Sequence, residues 1–140
     1  MKDITRFYDA QERDYEQALS ELKAGRKRSH WIWYIFPQVQ GLGFSSISKH
    51  YAIEDLKEAR AYLADPVLGP RLLECCDALL GLSSSNAGAV MGYPDDLKLR
   101  SSMTLFALAD PAEPAFRAVL DKFFDGKPDN KTLEILGEEW

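Results

Sequence analysis

Cysteine and histidine are scarce in this chain, two of each in 140 residues. Cys75 and Cys76 are neighbours, and a bridge between adjacent cysteines would close a strained ring, so no disulfide framework is expected. No C-x-x-C spacing occurs, and His30 and His50 stand far apart, which leaves no recognisable metal site. Both cysteines read as small apolar residues on a helix. Long apolar runs are missing too: nothing approaches the roughly 20 consecutive residues that span a bilayer. The N-terminal MKDITRFYDAQERDYE is charged throughout and has no apolar signal-peptide region. A cytoplasmic protein without membrane association is the expectation. Positive charge is the smaller share, 17 Lys and Arg against 22 Asp and Glu, for a formal −5. That balance argues against a general affinity for nucleic acid, whose phosphates repel an acidic surface. The one basic run, Arg26-Lys27-Arg28, reads as a solvated turn, with local anion docking as the alternative.

What is present is helical periodicity. Tyr15, Ala18, Leu19 and Leu22 fall at i, i+3, i+4 and i+7, with Glu12, Arg13, Glu16, Gln17, Glu21 and Lys23 on the other face and Gly25 placed to end the helix. Leu56, Ala59 and Leu63 repeat the pattern, closed by Asp65-Pro66. Leu68, Leu72, Cys75, Cys76 and Leu79 make the next stripe, ending near Gly81. Pro94 suits the start of a helix through Leu97, Ser101, Leu105 and Leu108, with Asp95 and Asp96 complementing its dipole. Phe116, Val119, Leu120 and Phe123 form the cleanest stripe, opened by Pro114 and stopped by Gly126. Asn130 is placed to cap a last helix carrying Leu133 and Leu136. SSSNAG reads as a loop.

The segment SHWIWYIFPQ is apolar on every side, and periodicity alone fits a buried strand or a buried helix. A strand needs a backbone partner. The only candidate, MTLFALA at 103–109, already continues a helical stripe. With Ser29 as N-cap and Pro37 as terminator, a short buried helix is the preferred reading. No Asn-Gly or Asp-Gly hairpin turn joins two alternating runs. The expected fold is all-α: a single domain over 1–140 of about seven helices with short connections. The alternative is α+β with a minor two-stranded element.

Several motifs together resemble a known family. SHWIWYIFPQ, GLG with serines behind it, KLRSSMTLF, the leading FYDAQ, AYLADPVLGPRLLE and FFDGKPDNKTLEIL are similar to the bacterial family called domain of unknown function 1810. The likeness runs over essentially the whole chain. It implies a compact, mostly helical domain and no established activity. Members are sometimes labelled calpastatin, whose disordered inhibitory segments have no counterpart in this sequence.

Candidate chemistry sits in the polar residues embedded in those apolar motifs. Burying an unpaired hydroxyl, amide or imidazole costs about 1–3 kcal/mol, so such residues either satisfy one another or converge on a ligand. His30, Gln38, Ser45, Ser48, Lys98, Ser101, Ser102 and Thr104 are of this kind. GLGFSS lacks the third glycine of a dinucleotide fingerprint, which Ser46 occupies, and lacks its βαβ context. Gly41 and Gly43 serve either a tight turn or a close backbone approach to an anion beside Ser45. Trp31, Trp33, Tyr34 and Phe36 read as core anchors before stacking platforms. Neither histidine has a carboxylate at diagnostic spacing, so no acid/base dyad is visible, and His30 is the only candidate general base. S-x-x-K at 46–49, and Lys98 one turn before Ser102, lack the partner motifs of covalent catalysis.

The functional expectation is therefore an anionic small molecule, nucleotide-like or a phosphorylated metabolite, bound without a cofactor between the GLGFSSIS loop and the KLRSSMT helix. His30, Gln38, Gly41, Gly43, Ser45 and Ser48 would line one wall, and Lys98, Ser101 and Ser102 the other. The alternative is a non-catalytic protein-interaction module in which these polar groups form a structural hydrogen-bond network. The sequence names no protein partner.

Overall fold

Helix follows helix in the order that the stripes demand. The computed structural model describes residues 3–140; the first two residues of the charged N-terminal run lie outside them. Nine helices occur among the described residues: α1 (Arg6–Ala24), α2 (Ile32–Ile35), α3 (Ser46–Tyr51), α4 (Leu56–Ala64), α5 (Leu68–Leu80), α6 (Ala87–Met91), α7 (Asp95–Ala109), α8 (Pro114–Phe124) and α9 (Asn130–Leu136). The all-α class is as expected. The count exceeds seven because α3 follows the glycine loop as a helix of its own and SSSNAG runs into the small helix α6, capped by Asn86 accepting from the Ala89 N–H at 3.0 Å.

Most boundaries have local causes. Gly25 ends α1 in the left-handed region at φ 79°, where a side chain would be strained. Asp55 and Glu113 cap α4 and α8 through their carboxylates, and Pro114 occupies the first turn of α8. The cap of α9 is Asp129 rather than the expected Asn130, which is already helical. One strand-like contact exists among the described residues, a parallel bridge between Val39 and Ile53. It is not the 31–36 with 103–109 pairing weighed from the sequence.

α7 is the axis of the fold. All seven residues from Ser101 to Ala107 are buried, as expected of a helix enclosed on every side. It packs on α8, α4, α6, α9 and α2. A chain of ring contacts crosses this core, from Tyr51 to Phe7, Tyr62, Phe106 and Phe116, with centroids 5.1–5.8 Å apart, within the range of favourable aromatic pairing. Trp31, Tyr34 and Phe36 are buried as core anchors. Cys75 and Cys76 are free, buried thiols facing the same core. Burial pushes Cys75 up to about 12 and Cys76 well above its ordinary value, so both are protonated and inert.

Two buried carboxylates tie the helices together. Glu58, fully buried, accepts from the Arg6 guanidinium at 2.8 Å and from the Glu54 N–H at 2.7 Å. Arg6 also donates to the carbonyls of His50 and Ala52, so one cation joins α1, the end of α3 and α4. Glu21 corrects a sequence reading. Placed on the outer face of α1 by its charge, it is only 4% exposed. Its carboxylate accepts from Gln17 Nε2, the Arg28 and Ser29 N–H groups, Ser29 Oγ and Trp31 Nε1, at 2.6–3.0 Å. Ser29 therefore serves Glu21 and not the start of α2, whose N-cap is Trp31.

Candidate ligand-binding cleft

A cleft of about 1100 Å³ opens between the 38–45 loop with α3 on one side and the first turns of α7 on the other. The fold creates it in two steps. Gln40 N–H donates to the Ile53 carbonyl and Ile53 N–H to the Gln38 carbonyl, both at 2.8 Å. This pair closes the base of the loop, so residues 41–52 must arch outward. Pro94 then starts α7 with Leu97, Lys98 and Ser101 facing the arch.

The two glycines of the loop have different reasons. Gly41 sits at φ +100°, which a side chain rarely adopts. Gly43 has no left-handed φ; a Cβ there would lie 2.6 Å from Ser48 Oγ. The expectation of a positive-φ turn holds for the first, and close packing explains the second. Ser45 caps α3, its Oγ accepting from the Ser48 N–H at 3.2 Å, while Ser48 Oγ donates back to the Ser45 carbonyl at 2.9 Å. These hydroxyls are thus occupied with each other.

Of the nine residues named from the sequence, Gln38, Gly41, Gly43, Ser45, Ser48, Lys98 and Ser101 line the cleft; His30 and Ser102 are not among the lining residues. His30 is exposed and precedes α2 instead of lying in its first turn. Ser102 is fully buried in α7, and its hydroxyl has no partner among the described residues. Ser101 lies on the cleft floor with its hydroxyl returned to the Leu97 carbonyl at 3.1 Å, a common use of serine in a helix. Thr104 likewise bonds within the body, to the Arg100 carbonyl and from the Asp129 N–H.

Charge on the cleft wall follows from a shared carboxylate. Asp95 accepts a salt bridge from Lys27 at 2.7 Å on one oxygen and from Lys98 at 3.3 Å on the other. Two cations around one anion leave a net positive group, and Lys98 is the member on the cleft. Its ammonium also lies 5.1 Å from the centre of the Trp33 ring, within cation–π range. Lys27, read as one of three solvated basic residues, has a side chain only 5% exposed. Lys49, Glu54 and Asp129 also reach the cleft, the last with Oδ2 engaged in capping α9.

Sequence reasoning missed Trp33 as a lining residue, having assigned the whole aromatic cluster to the core; Trp33 alone of the four is half-buried. It also missed Gln40, Leu42, Phe44, Leu97 and Ile135. Phe44 is 85% exposed. Its place inside a glycine- and serine-rich stretch was the available signal.

The architecture and the motifs converge on one relationship. The family model described as a protein of unknown function, DUF1810, matches residues 1–136. The chain belongs to this family. A similar solved structure is the crystal structure of the conserved hypothetical protein Rv1873 from Mycobacterium tuberculosis, 45% identical, with a TM-score of 0.95 over 98% of each chain. No curated protein matches. No helix among the described residues is long and apolar enough to cross a membrane.

Proposed function

We propose that this DUF1810 member, as one helical domain over 1–140, is a cytoplasmic protein that binds an anionic small molecule, nucleotide-like or a phosphorylated metabolite, in the cleft between the 38–45 loop and α7. The observation that carries this reading is the Lys27–Asp95–Lys98 arrangement, in which two ammonium groups share one carboxylate and Lys98 stands at the cleft wall. A lysine ammonium is a compact point charge well suited to a phosphate. Gln38, half-buried on the same lining, supplies an amide with no side-chain partner among the described residues. Trp33, Leu42, Phe44 and Leu97 line the same cleft, and apolar side chains set around polar groups are the usual make-up of a small-molecule site.

A thermal-shift series against phosphorylated metabolites and nucleotides tests it. A ligand at 100 times its Kd adds about 2.7 kcal/mol of stability, and Lys98→Ala should abolish that gain while leaving the unliganded melting point nearly unchanged.

The second reading, a protein-interaction module, draws on the same cleft. Phe44, Leu97 and Ile135 expose 85%, 47% and 37% of their surface on its lining, and Ser45, Ser48 and Ser101 already use their hydroxyls internally. An absence of stabilisation by every anionic compound, together with marked destabilisation by Lys98→Ala and Ser45→Ala, would favour it.

A further inference from the structure

Resting on the anionic-ligand reading, we infer that the ligand is a nucleotide: its base stacks on Phe44, its edge is read by Gln38 and Gln40, and its phosphate meets Lys98. Three features of the cleft select this class over a sugar phosphate or a simple acid. The first is size. About 1100 Å³ is slightly more than the roughly 300–1,000 Å³ of ordinary small-molecule sites, so the cleft has room for a base, a sugar and a phosphate together.

The second is Phe44. A phenylalanine ring held almost wholly in solvent gives up its hydrophobic stabilisation unless something covers it. Here the base of its loop is fixed by the Val39–Ile53 bridge and the loop lies against α9, where a Cβ on Gly41 would come within 3.3 Å of Ile135. The ring is thus presented on the cleft lining by an anchored loop. A flat heteroaromatic partner would bury both faces in contact, and stacking of this kind tolerates any base.

The third is the pair of glutamines. Gln38 and Gln40 both line the cleft, and neither side chain makes a hydrogen bond among the described residues. An amide offers donors and an acceptor together. That combination matches the mixed donor and acceptor edge of a nucleobase, whereas a phosphate or carboxylate would use only the donors. With Lys98 held over Trp33 and sharing Asp95 with Lys27, the cleft carries separate means for the ring, its edge and the anion.

Isothermal titration with the adenosine, guanosine, cytidine and uridine 5′-monophosphates, alongside ribose 5-phosphate, inorganic phosphate and unphosphorylated adenosine, tests the inference. At least one nucleotide should bind about tenfold or more tightly than ribose 5-phosphate. Phe44→Ala should remove that advantage and leave ribose 5-phosphate binding unchanged. Gln38→Leu should alter the order of the four bases, and Lys98→Ala should lower the nucleotides to the level of adenosine. Circular dichroism confirms that each variant is folded. If ribose 5-phosphate or inorganic phosphate binds as tightly as every nucleotide, or Phe44→Ala changes nothing, the nucleotide inference is overturned while the anionic cleft stands. If adenosine equals its monophosphate and no phosphorylated compound binds, both are overturned.

Discussion

Glu21 and Lys98 are both charged residues set against tryptophan, yet their surroundings differ in what is left over. Around Glu21, five donors converge on one carboxylate, and the glutamate is 4% exposed. Around the cleft, Lys98 shares half of Asp95 and Gln38 has no side-chain partner among the described residues. Hydrogen-bonding capacity is used up in the first region and left over at Gln38 and Lys98 in the second. The contrast teaches how to sort polar residues embedded in apolar motifs. Those whose partners are all internal hold the fold, and those with unused capacity on an open surface are the candidates for binding.

The comparison can be broken from the structural side first, where the effects are largest. Arg6→Met should cost about 3–5 kcal/mol in chemical denaturation, because it leaves the fully buried Glu58 without its cation. Glu21→Gln should cost about 3 kcal/mol, since an amide cannot accept what the carboxylate accepts from Gln17, Ser29, Arg28 and Trp31. Its pH dependence sharpens the point. Burial works to raise the Glu21 pKa, but the hydrogen bonds from Gln17, Ser29 and Arg28 outweigh it and hold the carboxyl well below the usual glutamate range. A depressed folded-state pKa contributes stability that is complete above the unfolded value and is lost as pH falls through the folded one. The gap between wild type and Glu21→Gln should therefore stay constant from neutral pH down to about pH 5 and narrow as pH falls further, through about 4 to 3. Ser45→Ala should cost about 1 kcal/mol, the ordinary worth of a helix N-cap. On the cleft side, Gln38→Ala should stay within about 0.5 kcal/mol of wild type. A loss of 2 kcal/mol there would erase the distinction between the two regions.

The scaffold was largely readable because its long helices carry complete stripes and clear terminators, as at Gly25, Asp65-Pro66 and Pro114. α6 was not readable: Ala-Gly-Ala-Val-Met carries too few large apolar residues to make a face, and its position depends on packing against α7. Glu21 was misplaced for a different reason. Its angle on α1 lies beside Ala18 and Leu22, and charge alone suggested solvent. The donors that hold it buried come mainly from residues 28–31, in the next segment. The two walls of the cleft were legible as polar interruptions in apolar motifs, and they do border one opening. Which of those residues reach it was not. Ser101 and Ser102 are sequence neighbours, but one helical step of 100° puts the first on the cleft floor and the second wholly inside. His30 fell outside because α2 begins two residues later than a Ser29 cap would allow.

Thermal unfolding of the wild type and of a Gln38→Ala/Lys98→Ala double variant, each with and without millimolar adenosine 5′-monophosphate, bears most directly on the claim that the cleft keeps Gln38 and Lys98 for a ligand. The two proteins should melt within about 2 °C of each other when unliganded, and the nucleotide should raise the melting point of the wild type alone. A double variant that melts far below the wild type, with no shift by the nucleotide in either, would contradict it.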